Sequence, residues 1–156
     1  MDAGKGSNPV TVERKSDREI VVTRTFDAPA RLVFEAWTRP ELFQQWWIPK
    51  SMGMVLHSCE MDVRAGGKYC LNFGPGMDFF GTYLEVTPPS RLAWTNEEGG
   101  ENGSVTTVTL EANGGGTLLV MSELYPSKEA LDAAGTGAAE ATRETFVQLD
   151  ELLRTL

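Results

Sequence analysis

At 156 residues, with 41% hydrophobic and 23% charged residues, the chain has the size and composition of one globular domain and not those of a disordered or fibrous protein. Its formal charge of −8 repels nucleic acid and anionic membrane surfaces, and no basic stripe with interleaved aromatics offsets it. Two cysteines, Cys59 and Cys70, are too few for a disulfide framework. No apolar run approaches the ~20 residues of a membrane helix and no signal-peptide core opens the chain, so a cytoplasmic location is expected, with both cysteines as reduced strand residues.

Residues 1–18, rich in Gly, Ser, Asn, Asp and Lys and without periodicity, predict a mobile leader ahead of a single domain over 19–156. The β-branched and aromatic run Ile20–Phe26 predicts the first strand. Asp27-Ala28-Pro29 stops it, with Asp27 or Ala28 as a helix cap and Pro29 in the first turn. Two short helices follow. Leu32, Val33, Ala36 and Trp37 form one apolar face, and Leu42, Phe43, Trp46 and Trp47 repeat the spacing. Thr38-Arg39-Pro40-Glu41 between them has the form of a capping box. Six further strands are predicted over Met54–Met61, Lys68–Phe73, Phe79–Thr87, Arg91–Asn96, Ser104–Glu111 and Thr117–Tyr125. Their connections, including Gly74-Pro75-Gly76 and the Glu97–Gly103 loop, are too short for crossover helices, so the strands must pair antiparallel as a meander. A short helix over Lys128–Ala134 breaks at Gly135-Thr136-Gly137. A long helix then runs to the C-terminus, with Thr142, Phe146, Leu149, Leu153 and Leu156 on one stripe, Thr145 and Leu152 beside it, and Asp150 among the solvated charges.

These elements predict an α+β domain in which a curved, seven-stranded antiparallel sheet wraps around the C-terminal helix, with two short helices between strands 1 and 2. A curved sheet cannot touch a straight helix along its whole length. A pocket between them is the mechanical consequence.

The run from Ile20 to Leu153 resembles the SRPBCC (START-like, Bet v 1-like) superfamily, in the branch homologous to the C-terminal domain of the heat-shock protein 90 ATPase activator. The residues that carry the resemblance are Phe26-Asp27-Ala28-Pro29, Val33-Phe34-Glu35-Ala36-Trp37-Thr38, Trp46-Trp47, Glu60-Met61-Asp62-Val63-Arg64 with Gly66-Gly67, Gly81-Thr82-Tyr83-Leu84-Glu85-Val86, Arg91-Leu92 with Trp94, and Arg143-Glu144-Thr145-Phe146 with Gln148-Leu149. The resemblance implies a helix-grip fold with a cavity between sheet and C-terminal helix. It transfers no single function, since relatives include lipid carriers, cyclases, hormone receptors and co-chaperone domains. The chain departs from the pattern twice. Glu123 stands where relatives often carry His, and Ala141-Thr142 where many carry Gly-Trp.

His57 is the sole histidine, no second ligand stands at metal spacing, and the Gly-rich runs open no helix; neither a metal nor an organic cofactor is expected. The candidate ligand-binding residues are Trp46, Trp47, Tyr69, Phe73, Tyr83, Trp94, Met121, Glu123 and Phe146. Adjacent helical residues point about 100° apart, so at most one of Trp46 and Trp47 faces a given wall. Strand alternation groups Tyr69 with Leu71 and Phe73, Tyr83 with Phe79 and Gly81, and Glu123 with Leu119, Met121 and Tyr125. A carboxylate at 123 in apolar surroundings would make an acid or base. Three readings follow. The first is binding of a small hydrophobic or aromatic molecule; the second is a cyclase-, dehydratase- or hydrolase-type enzyme using Glu123; the third is a co-chaperone-like interaction module. Association of two copies is left open.

Overall fold

The computed structural model describes residues 10–156 apart from 54, 77, 98–102 and 135–136, without the side chains of 52, 133, 134 and 137–141. Its strands are β1 (Thr11–Arg14), β2 (Glu19–Phe26), β3 (Ser58–Met61), β4 (Lys68–Asn72), β5 (Asp78–Thr87), β6 (Arg91–Thr95), β7 (Val105–Asn113) and β8 (Gly116–Leu124). The helices are α1 (Ala30–Thr38), α2 (Pro40–Trp46), a 3-10 turn (Lys50–Met52), α3 (Lys128–Ala134) and α4 (Gly137–Leu153). All strands join one sheet in the order β1-β2-β8-β7-β6-β5-β4-β3, and every neighbouring pair is antiparallel. From β3 to β8 this is the expected meander, and β2 closes onto β8. The helix-grip architecture is therefore present.

Eight strands replace the expected seven. Thr11–Arg14, read from composition as part of a mobile leader, pairs with Ile20–Thr23 of β2, and Val12 packs on the core. Four residues of weak strand character gain a ladder partner that no local pattern announces. Residues 1–9 of the leader, the start of the strand expected at Met54, most of the Glu97–Gly103 loop and the break at 135–136 lie outside the described residues.

Neither helix cap forms as expected. Pro29, not Asp27 or Ala28, occupies the cap position of α1. Thr38 is the last residue of α1 and turns its hydroxyl back to the Phe34 carbonyl at 2.9 Å, so it is not available to α2. Glu41 pairs with Arg39 at 2.7 Å. The capping-box spacing is satisfied in sequence, but the two helices abut too closely for it to be used.

One face of the sheet carries the core: Val22 and Phe26 of β2, Leu71 of β4, Val108 and Leu110 of β7, and Leu119 and Met121 of β8 are all buried. Two helical layers cover it. Phe146 of α4 meets Phe26 edge-on with ring centroids 5.7 Å apart, and Leu149 and Leu153 continue the stripe. Leu156 is exposed, because α4 ends before it.

Asp150 corrects the reading of α4. It is buried against the sheet instead of solvated, 3.7 Å from the guanidinium of Arg24, which shares the core face of β2 with Val22 and Phe26. Arg24 also lies over the Phe26 ring, 4.9 Å from its centroid, and Arg154 reaches Asp150 from outside at 3.1 Å. A strand that presents an arginine to the core calls for a carboxylate close by, and α4 supplies Asp150. Breaking a buried pair on one side strands the other charge. We expect Asp150→Ala to cost about 3 kcal/mol, read as a lowered urea midpoint at unchanged slope; an unchanged midpoint would show the pair to be energetically idle.

Candidate functional site

A pocket of about 240 Å³ lies between the β3–β6 half of the sheet and the α1–α2 pair. Trp37, Phe43 and Trp47 form its helical wall; Met61, Tyr69, Leu71, Phe79, Tyr83, Trp94 and Asn96 form its sheet wall. Among the described residues, no side chain of α4 lines it. Among the described residues the pocket therefore lies elsewhere than expected, not between sheet and C-terminal helix but between sheet and the α1–α2 pair. The described α4 residues lie against β2 and the helical pair, and the sheet curls away from α4 towards β3. A register shift in β5 between Tyr83 and Glu85 contributes to that curl, since an extra residue on one strand increases local twist.

Of the residues singled out from the sequence, Trp47, Tyr69, Tyr83 and Trp94 come together around this pocket. The others do not line it. Trp46 is fully buried behind the wall, its indole N–H donating to the Ala36 carbonyl at 2.9 Å. Phe146 packs on Phe26 and Trp37, and Met121 is core on β8. Phe73 is buried just beyond β4 with its ring 5.4 Å from Phe79. Glu123 is half-buried on the core face of β8, and its carboxylate accepts from Thr106 Oγ1 at 3.0 Å and Tyr125 Oη at 3.1 Å. Burial, reinforced by Glu123, pushes the Tyr125 hydroxyl upward, so it stays a donor. The pocket residues not among the expected ligand-binding residues, Trp37, Phe43, Met61, Leu71, Phe79 and Asn96, stand mostly at helical or alternating spacing from residues that were. Periodicity gave their face; it could not say which part of that face stays open.

Two devices hold the walls. The first is a close approach at Gly81, paired across the ladder with Tyr69. A Cβ there would stand 1.8 Å from the Thr95 carbonyl oxygen and 2.8 Å from Tyr69 Cε2. The missing side chain lets the Tyr69 ring cross the strand, and its hydroxyl donates to the Thr95 carbonyl at 2.8 Å. The second is Gln148 of α4. Its amide nitrogen donates to the carbonyls of Trp46 and Ile48, both at 2.9 Å, and its oxygen accepts from the Lys50 N–H at 2.9 Å. One buried side chain thereby satisfies three backbone groups of the segment that presents Trp47. Glu144, one turn earlier, receives the Ser51 N–H and hydroxyl, which hold its carboxyl below the ordinary range.

The polar groups of the pocket are few. The Tyr83 residue is 4% exposed, and its hydroxyl makes no hydrogen bond to the described residues; burial pushes its ionisation well upward. Cys59 lies next to the pocket, its thiol 3.6 Å from the Met61 sulfur, and desolvation pushes it up to about 11. Cys59 opposes Leu71 and Cys70 opposes Glu60, so the two thiols sit on adjacent rungs and on opposite faces of the sheet, where they cannot bridge. Among the described residues no group of three or more metal-ligating side chains converges, and no helix is long and apolar enough to cross a membrane.

Two outcomes are expected. Gln148→Leu leaves three buried backbone groups without partners and should cost about 3 kcal/mol or more, with Trp47 fluorescence shifting as its segment loosens; calorimetric melting and emission spectra test this. For Cys59, a folded pKa near 11 exceeds the ~8.5 of an unfolded thiol, so burial of the neutral thiol stabilises fully below that lower value and the contribution fades as pH rises through the upper one. In Cys70→Ser, thiolate absorbance should titrate with its midpoint near 11; an ordinary thiol midpoint would contradict the burial.

A family model described as Activator of Hsp90 ATPase homolog 1-like protein matches residues 27–154. Among solved structures, a protein of Rhodobacter sphaeroides is 25% identical, with 95% of this chain and 99% of that one covered at a TM-score of 0.83. A protein of Nitrosomonas europaea is 23% identical over 90% of this chain and 97% of that one, with a TM-score of 0.80. One of Mycobacterium smegmatis is 24% identical over 94% and 99%, with a TM-score of 0.77. Among curated proteins none matches. The fold supports a ligand-binding or co-chaperone-like domain in general terms. The chain belongs to the Activator of Hsp90 ATPase homolog 1-like family, within the START-like superfamily that its sequence resembles.

Proposed function

We propose that this chain binds a small, mainly apolar aromatic molecule in the pocket between β3–β6 and the α1–α2 pair. The observation that carries the reading is a contrast inside one core. Around Phe26, Trp46 and Phe146, each 0% exposed, aromatic side chains close on one another completely. Around Trp37, Phe43, Trp47, Tyr69, Phe79, Tyr83 and Trp94, an equally aromatic set leaves about 240 Å³ open. That exceeds the ~150 Å³ which suffices for benzene in an apolar protein cavity. It suits a ligand of one or two fused rings. Seven aromatic side chains provide large rigid contact area at little entropic cost, which favours flat partners.

Naphthalene, titrated while tryptophan emission is followed, should bind saturably with a Kd on the order of 10–100 µM, as expected for ten well-buried carbon atoms. Met61→Trp introduces bulk from the half-buried edge strand β3 and should abolish that binding without unfolding the protein. Absence of saturable binding to the unaltered protein, or indifference to Met61→Trp, removes the proposal.

The family description favours a second reading, a co-chaperone-like module acting on the Hsp90 ATPase. Chaperone ATPase rate measured with and without this protein distinguishes it. An unchanged rate eliminates that reading and leaves the first intact.

A further inference from the structure

Among the described residues Asn96 is the one amide in the pocket wall, and its orientation is dictated by the groups it meets on either side. A chain of contacts crosses the core face from β8 to β6. Glu123 accepts from Thr106 Oγ1 at 3.0 Å; Thr106 Oγ1 receives Asn96 Nδ2 at 3.0 Å; and Asn96 Oδ1 receives the Trp94 indole N–H at 3.3 Å and the Tyr69 hydroxyl at 3.2 Å. The strands stand in register for this, with Thr106 opposite both Glu123 and Trp94.

The two ends of the chain fix its polarity. A carboxylate has no hydrogen to give, so the single hydroxyl hydrogen of Thr106 goes to Glu123 and the Thr106 oxygen must accept from Asn96. An indole N–H can only donate, so the group facing Trp94 must be an acceptor. With the amide reversed, Nδ2 would oppose the Trp94 N–H and Oδ1 would oppose a Thr106 oxygen with no hydrogen left. Asn96 Nδ2 also donates to Ser104 Oγ at 3.0 Å and to the Ser104 carbonyl at 3.3 Å, which hold the same orientation. Asn96 Oδ1 is therefore held on the Trp94 side, in the wall of the pocket. Its contact with the indole is long and the Tyr69 hydroxyl has a nearer acceptor in the Thr95 carbonyl at 2.8 Å, so a carbonyl oxygen with two lone pairs retains capacity for another donor. The Tyr83 hydroxyl, buried in the same wall without a bond to the described residues, is a second polar point.

We infer that the pocket selects an aromatic ligand bearing an O–H or N–H donor, which Asn96 Oδ1 accepts, and that Thr106 and Glu123 are positioning residues that aim this oxygen. The inference rests on the pocket being the ligand site. It gives Glu123 a role at a distance from the ligand: it does not line the pocket, yet through Thr106 it helps to set the direction of the one amide that does among the described residues.

The test compares two probes of one shape, 2-naphthol and naphthalene, at neutral pH by calorimetric or fluorescence titration. Wild-type protein should prefer 2-naphthol by roughly tenfold, the worth of one well-made neutral hydrogen bond. Asn96→Leu should abolish the preference. Thr106→Val, which keeps side-chain shape in the buried strand, should also abolish it while leaving the naphthalene Kd unchanged, and Thr106→Ser should restore it. A wild-type Kd no tighter for 2-naphthol than for naphthalene overturns the inference and leaves the apolar pocket standing. Equal weakening of both probes in Thr106→Val overturns the positioning role. Failure of both probes to bind the unaltered protein overturns the pocket reading and this inference with it.

Discussion

The arrangement of this protein depends on how a segment leaving α2 at Trp46 is held. The chain must turn from Trp46 to Lys50 beneath α4, and in doing so it buries carbonyls and an N–H that no helix or strand satisfies. Gln148 meets three of them at once, because a side-chain amide offers donors and an acceptor in one rigid plane. Buried backbone groups left unpaired cost more than a typical hydrogen bond gains, so this single side chain locks the position of the helical pair on α4. Everything lining the pocket from above follows from that position: Trp37 and Phe43 on the helices, and Trp47 immediately after them.

This division of labour explains why α4 is not a pocket wall among the described residues. Its buried face is committed to Phe26 through Phe146, to Arg24 through Asp150 and to the helical pair through Gln148. The long helix works as a backstop. Its grip on β2 and on α2 leaves the β3–β6 half of the sheet, among the described residues, to two short helices and the residues after them, and these do not fill a surface that curls. Trp37 stands at the junction. Its ring meets Phe146 and Trp46 on the closed side and Trp47 and Trp94 on the open side. The solid core and the recess share one indole.

Besides the Arg24–Asp150 pair, polar side chains gather at the end of the sheet where β6 leaves and β7 begins. Asn96 just past β6, Thr106 on β7 and Glu123 on β8 stand side by side there, and each satisfies the next. Thr82 and Thr95 hold the neighbouring Glu97 carboxylate with their hydroxyls, which keep its ionisation below the ordinary range and pin the start of that connection to β5. The core face tolerates this strip because each of Asn96, Thr106 and Glu123 has a partner.

Much of this was legible in the residues alone, and the boundary has a physical logic. Alternation along the strands placed Tyr69 with Leu71 and Tyr83 with Phe79; helical spacing put Trp37 on the apolar face of one short helix and Trp46 and Trp47 on that of the next; short Gly- and Pro-rich connections compelled an antiparallel meander. Each of these is a local constraint, acting over two to four residues, so sequence records it directly. What sequence did not determine was long-range. Thr11–Arg14 becomes a strand only because β2 offers a free edge. Asp150 belongs to the core only because a sheet residue over a hundred positions away, Arg24, faces it. Thr38 abandons its expected cap because a second helix begins immediately beyond. Periodicity tells which side of an element is apolar, and only packing between elements decides where two apolar sides meet and where they leave room.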